Sequence, residues 1–315
     1  MKSGRGKRVI MIIAIILILL LIGGMVGMYC AAARIYDQNF NRRYTTSQSS
    51  FFRISEFPGL TRERHTFTSN KGQTLAGYLY SREDTQPKGL IVFAHGLGAG
   101  GQTGYMDIFD YMTGRGFCVF AYDATANDES EGEVVGGLPQ GIIDLDHAID
   151  YACSLKETAG LPLFLMGYSW GAISVSNVLN YHPEAKAIAA FAGCNRSLNL
   201  IEDRAVQMAG KISKILLPFA AIHEYVLFGK YAFSTALKGF ANSDCRVMIV
   251  HGEKDTVVPI QYGLNAYLEK YRSDERFYFR KFPTRDHDVM KNAMGQLDLV
   301  LMEETAAFFE GSLIN

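Results

Sequence analysis

From Leu90 onward the chain repeats one pattern, a short, mostly apolar run followed by a segment long enough for a helix. The runs are Leu90–Ala94, Phe117–Tyr122, Leu163–Met166, Ala187–Ala192, Val247–His251 and Phe277–Phe282. Such runs suit strands covered on both faces, and helix-length connections suit crossovers between parallel strands. The pattern predicts an α/β fold with a mostly parallel central sheet and helices on both faces, whose ligands belong at the carboxyl ends of the strands. Ahead of it, Arg64–Thr68 and Leu75–Tyr80 flank Ser69-Asn70-Lys71-Gly72 and read as a hairpin.

The run Leu163–Met166 leads directly into Gly167-Tyr168-Ser169-Trp170-Gly171, and Ala172 to Tyr181 reads as a helix. A serine between two glycines on a tight strand-to-helix turn has its hydroxyl pushed into solvent, and the small neighbours avoid clashes with both elements. Ser169 is therefore the candidate nucleophile. A serine hydroxyl needs a base, and the base needs an orienting carboxylate.

Of seven histidines, His65 lies in the hairpin, His95 and His251 at strand ends beside glycine, His147 and His182 in expected helices and His223 in a helical interval. His287, in a loop after the last strand, is the candidate base. The candidate acid is Asp255, in the turn that follows the strand ending at His251-Gly252. An oxyanion needs two convergent backbone donors. Trp170 supplies one, and Leu97 in His95-Gly96-Leu97-Gly98 is the expected second.

The chain has 315 residues, 48% of them apolar, with a formal net charge of −1, enough for a large core and without the basic excess that suits nucleic acid. Cys30, Cys118, Cys153, Cys194 and Cys245 form no C-x-x-C pair and are expected to be free and buried. No charge occurs from Val9 to Ala33, and Val9–Met28 alone would span about 30 Å as a helix. Lys2, Arg5, Lys7 and Arg8 precede it, while Arg34, Arg42 and Arg43 follow with Asp37 among them, a slight bias that favours the N-terminus in the cytoplasm and the bulk of the chain outside. Ala31-Ala32-Ala33 resembles a cleavage site and leaves a secreted product as the alternative.

The interval Asn199–Asn242 is too long for one crossover helix and carries broad apolar faces, including Ile212, Ile215, Leu216, Ile222, Val226 and Phe228. It reads as an inserted helical cap that forms an acyl pocket or touches lipid, or that fills its own core. The expected division is a basic tip and transmembrane anchor over 1–35, a linker over 36–60, a core over 61–198 and 243–315, and a cap over 199–242.

The order Ser169, Asp255, His287, with His95-Gly96 and the Gly-Tyr-Ser169-Trp-Gly turn, resembles the α/β-hydrolase superfamily, and within it the capped branch of monoacylglycerol lipases and serine aminopeptidases. The resemblance covers about Arg64 to Phe309. It implies hydrolysis of an acyl ester through an acyl-enzyme, with no metal or organic cofactor. The expected partners are the ester substrate and, through the N-terminal helix, membrane lipid, with no nucleic acid and no obligatory protein.

Two departures stand out. Many relatives carry a loop resembling Asp-x-Arg-Gly-x-Gly-x-Ser where this chain has Asp123-Ala-Thr-Ala-Asn-Asp-Glu-Ser130, without the arginine and both glycines. His287 lacks the common preceding glycine and sits between Asp286 and Asp288, either of which resembles an orienting acid. A thioesterase or peptidase would use the same triad, and a non-catalytic binding protein would keep the same fold. Gly96-x-Gly98-x-x-Gly101 also matches a dinucleotide fingerprint, but that reading leaves Ser169, Asp255 and His287 without a role.

Overall fold

A computed structural model describes residues 3–83, 85–98 and 100–314. Its centre is an eight-stranded sheet of β1 (Leu60–Thr68), β2 (Thr74–Arg82), β3 (Leu90–Ala94), β4 (Cys118–Tyr122), β5 (Leu163–Tyr168), β6 (Ala187–Phe191), β7 (Arg246–Gly252) and β8 (Phe277–Phe282). The order across the sheet is β1-β2-β4-β3-β5-β6-β7-β8. The hairpin β1–β2 is antiparallel and joins β4 antiparallel, while every pairing from β4 to β8 is parallel. This is the mostly parallel α/β architecture that the apolar runs imply.

The helices are α1 (Ser3–Phe40), α2 (Met106–Gly114), α3 (Pro139–Ser154), α4 (Trp170–Val178), α5 (Ser197–Ala209), α6 (Leu217–Phe228), α7 (Ala236–Ala241), α8 (Leu264–Tyr271) and α9 (Leu299–Gly311). One side of the sheet packs on α3, α4, α7 and α8 through residues such as Leu145, Val175, Phe240 and Leu264. The other packs on α2 and α9 through Phe109, Met112, Met302 and Phe309. Strands β3 to β7 are buried almost throughout because both of their faces are covered, hence their lack of alternation.

The strand order reverses between β3 and β5, which are neighbours in register with Ala94 opposite Gly167. The loops leaving these strands diverge to opposite sides and open a crevice at their carboxyl ends. That places the loop His95–Gly98 beside the turn at Ser169.

Three sequence expectations need correction. The first helix does not stop before Tyr36, the expected start of the linker, but runs to Phe40, because Tyr36 is buried against Ile143, Phe228 and Ala232. His182 lies beyond the end of α4, in a loop where its ring nitrogens meet Asp146 and Glu184. The five cysteines are free, but Cys30 and Cys153 are exposed, and Cys118, Cys194 and Cys245 alone are buried.

Candidate active site

Ser169 has φ 55° and ψ −112°, a region that a residue with a side chain occupies only under constraint from its surroundings. The constraint is the close approach of strand and helix. A Cβ on Gly171 would lie 1.9 Å from the Ala94 carbonyl oxygen, and one on Gly167 would lie 2.4 Å from the Gly171 oxygen. Neither backbone can yield, so both positions require glycine.

From this turn Ser169 Oγ lies 2.8 Å from His287 Nε2, and His287 Nδ1 lies 2.8 Å from Asp255 Oδ2. The structure thus brings the three residues together within hydrogen-bond reach. Asp286 instead accepts the Asp288 amide, and Asp288 pairs with Lys291 at 3.1 Å, so neither neighbour faces the Nδ1 of His287 in place of Asp255.

The two oxygens of Asp255 divide their partners. Oδ1 accepts the Val257 and Val258 amides at 2.9 and 2.8 Å, while Oδ2 faces His287 and, at 3.2 Å, Nε2 of His251. Burial would raise the Asp255 pKa, but hydrogen bonds from His251, His287 and the Val258 amide hold it far below the usual carboxylate range. His251 is fully buried, and its Nε2 also contacts the Val258 carbonyl at 2.8 Å. With acceptors on both sides, Nε2 carries the hydrogen. This second histidine was not singled out from sequence. Its place four residues before Asp255 is a signal only once the turn between them is known to fold back.

On the other side, the Leu97 and Trp170 amides find no hydrogen-bond partner among the described residues. The Leu97 loop is held by His95, whose Nε2 accepts the Ala124 amide at 3.0 Å. The hydrogen must then sit on Nδ1, which donates to the Gly96 carbonyl at 2.9 Å. Burial holds the His95 pKa below its ordinary value, in keeping with this neutral tautomer.

The glycine-rich loop is no phosphate cradle. The Tyr44 ring stands against Gly98 and Thr46 against Gly100, while the Gly101 amide donates to Asp128 at 2.8 Å. Asp123 Oδ1 accepts the next amide, of Gln102, at 2.9 Å. Two carboxylates and the chain's own linker occupy the space that a pyrophosphate would need.

The loop Asp123–Ser130 keeps left-handed backbone at both places where relatives have glycine, with φ 60° at Ala126 and 36° at Asp128. Asp128 Oδ1 accepts the Thr46 amide at 2.6 Å, and Oδ2 accepts from Gly101. Arg43 adds bonds to the Ser130 and Gly132 carbonyls, 2.9 and 2.8 Å. The linker is thereby strapped to the loop that carries Leu97. Asp128→Gly removes backbone strain of about 1 kcal/mol but also charge-assisted bonds of about 1.5–3 kcal/mol each in full burial, less at this half-buried site. A net loss of about 1–2 kcal/mol is expected. A thermal melt checks it, and a rise in Tm would show that strain outweighs the strap.

Above Ser169 lies a cavity of about 650 Å³ whose walls include Leu97, Trp170 and Val258 from the core and Leu200, Met208 and Leu216 from the helical interval between β6 and β7. Arg204 is the one charged residue among the described residues lining it.

The family described as serine aminopeptidase, S33 matches residues 85–226, a stretch that contains Leu97, Ser169 and Trp170 and ends before Asp255 and His287. Monoglyceride lipase of Homo sapiens is 35% identical over 95 residues, 29% of this chain and 30% of that protein. The aligned stretch thus spans under a third of that relative. Among solved structures, an esterase of Pyrococcus furiosus superposes with a TM-score of 0.65 at 14% identity, covering 87% of this chain and 99% of its own. Carboxyl esterase 2 of the fungus Tuber melanosporum gives 0.62 at 17% identity, covering 86% and 91%. These likenesses, with the sheet order and the turn at Ser169, give the chain the α/β-hydrolase fold, and residues 85–226 are similar to the serine aminopeptidase S33 family.

Proposed function

We propose that this protein is a membrane-anchored serine hydrolase that cleaves carboxylic esters with lipid-like acyl groups. The observation that carries the reading is the continuous relay from Ser169 through His287 to Asp255, each step 2.8 Å. With its hydrogen on Nδ1, given to Asp255, the His287 ring offers Nε2 as acceptor for the Ser169 proton. Ser169 Oγ attacks the ester carbonyl as Nε2 takes that proton, and the imidazolium is stabilised by Asp255. The tetrahedral oxyanion accepts hydrogen bonds from the Leu97 and Trp170 amides, each worth about 3–4 kcal/mol in comparable sites. Collapse passes the proton to the leaving alcohol and leaves an acyl group on Ser169. Water, activated by the same Nε2, then releases the acid and restores the serine.

The cavity favours an acyl ester over an aminopeptide. An aminopeptidase must pair the substrate's ammonium with a carboxylate, and no Asp or Glu lines this cavity among the described residues. Its walls are largely apolar, which suits an acyl chain.

The anchor reading rests on α1, which is long and apolar enough to cross a bilayer, with a mean hydropathy of 3.3 over its most apolar window. The basic residues before it favour a catalytic domain outside the cytoplasm. Ala31-Ala32-Ala33 lies within α1 with Ala32 only 4% exposed, which favours an uncleaved anchor over a signal peptide. The stretch Lys211–Ala241 passes the same hydropathy test but is broken into short turns and helices that pack on the domain, so it is read as cap.

A fluorophosphonate probe applied to the full-length protein in detergent tests the chemistry. Wild type should label, and Ser169→Ala should not. Labelling that persists in the variant removes Ser169 as nucleophile, whereas an unlabelled, well-folded wild type favours a binding protein.

A further inference from the structure

The cavity over Ser169 has a wall that the core and cap do not provide. Ala32, Ile35, Tyr36, Asn39 and Phe40 of α1 line it together with Ser169 and Leu97. The helix is held there by a buried polar cluster. Glu224 of α6, 0% exposed, accepts from the Tyr36 hydroxyl and from Ser197 Oγ, both at 2.8 Å. Burial pushes the Glu224 carboxyl up to about 7. His223 bridges Tyr29, at 3.3 Å, and Asp37, at 2.9 Å, on the same helix.

This docking fixes how far the cavity stands from a membrane. At about 1.5 Å per residue, Val9–Met28 spans about 30 Å of hydrocarbon, and Tyr29–Phe40 continues as a stem of about 18 Å. Ala32 is then only about 6 Å beyond the hydrocarbon edge, within the headgroup layer. Tyr29 marks that edge, where tyrosines concentrate. The cap elements that meet α1 expose Ile212, Ile215, Ile222, Tyr225 and Val226, an apolar rim on the elements beside the stem. Such a rim on a soluble surface would be unusual, and beside an anchored helix it suits acyl chains.

Building on the ester hydrolase reading, we propose that the stem Tyr29–Phe40 is one wall of an acyl channel that opens at the bilayer surface. The substrate is then an ester lipid resident in the adjoining leaflet, which reaches Ser169 laterally without passing through bulk water.

The test uses the full chain in lipid nanodiscs, with p-nitrophenyl acetate and p-nitrophenyl palmitate as probes. Ile35 lines the channel yet is 48% exposed, so Ile35→Trp adds bulk without disturbing the core. Expected is a fall of about tenfold or more in kcat/KM for palmitate, with acetate and fluorophosphonate labelling of Ser169 changed less than about twofold. No change for palmitate, or equal falls for both esters, overturns the wall. Lateral access is read from an ester lipid placed in the enzyme's own disc or in separate discs. Hydrolysis about tenfold faster in the shared disc is expected, and equal rates overturn it. An unlabelled wild type would sink the hydrolase reading and this inference with it, whereas intact labelling without a chain-length shift sinks only the wall.

Discussion

Asp255→Asn should lower kcat for a short ester about ten-thousand-fold while leaving a folded protein. The reason lies in how the carboxylate divides its partners. The Val257 and Val258 amides demand an acceptor at Oδ1, which fixes the asparagine carbonyl there. The amide nitrogen must then replace Oδ2, facing His287 Nδ1 and the Nε2–H of His251. Two donors would meet at His251, and His287 would be driven to accept at Nδ1 and carry its hydrogen on Nε2. That tautomer cannot take a proton from Ser169. Steady-state rates beside a circular dichroism melt separate this from unfolding. A loss of under about tenfold would mean that His287 is oriented by something else.

Gly171→Ala is expected to cost about 3 kcal/mol of stability or more, and activity with it. Alanine gains about 1 kcal/mol over glycine as a helix former, so propensity alone predicts a more stable protein. The added Cβ, however, meets the Ala94 carbonyl at 1.9 Å and the His95 carbonyl at 2.9 Å. Both are backbone atoms of the central sheet or its first residue beyond, so helix α4 must move off β3. The movement shifts Ser169 and Trp170 against the Leu97 loop. Chemical denaturation gives the stability change, and a variant as stable as wild type would show that the strand and helix have more freedom than their contacts indicate.

The parts legible in sequence were those set by local pattern. Leu90–Ala94 has the expected ends because a strand buried on both faces leaves an uninterrupted apolar run, whereas the edge strand Phe277–Phe282, with no fully buried residue, is marked by its aromatic residues. Ser169 was legible because the glycines around it report the closeness of strand and helix. The site's finer parts depend on contacts distant in sequence. His251 acquires meaning only when its ring and Asp255 share a buried turn. Asp128 holds a left-handed turn where relatives have glycine, since Thr46 and Gly101 engage its carboxylate. The docking of α1 was hidden because Tyr36 to Phe40 looks like a polar linker until Glu224, 188 residues from Tyr36, is brought against it.

The strap from Arg43 to Thr46 bears on how the protein is handled at the bench. Cutting the chain at Phe51 is an obvious way to remove the greasy helix and obtain a soluble enzyme. Such a fragment loses the Thr46 contacts to Asp128 and Gly101, the Tyr44 ring beside Gly98 and the face of α1 that closes the cavity. Ser169, His287 and Asp255 would be intact, yet a chain-length preference or inhibitor ranking measured on it would describe a trough open on one side. Screening against the intact, detergent-solubilised protein keeps the α1 wall in place.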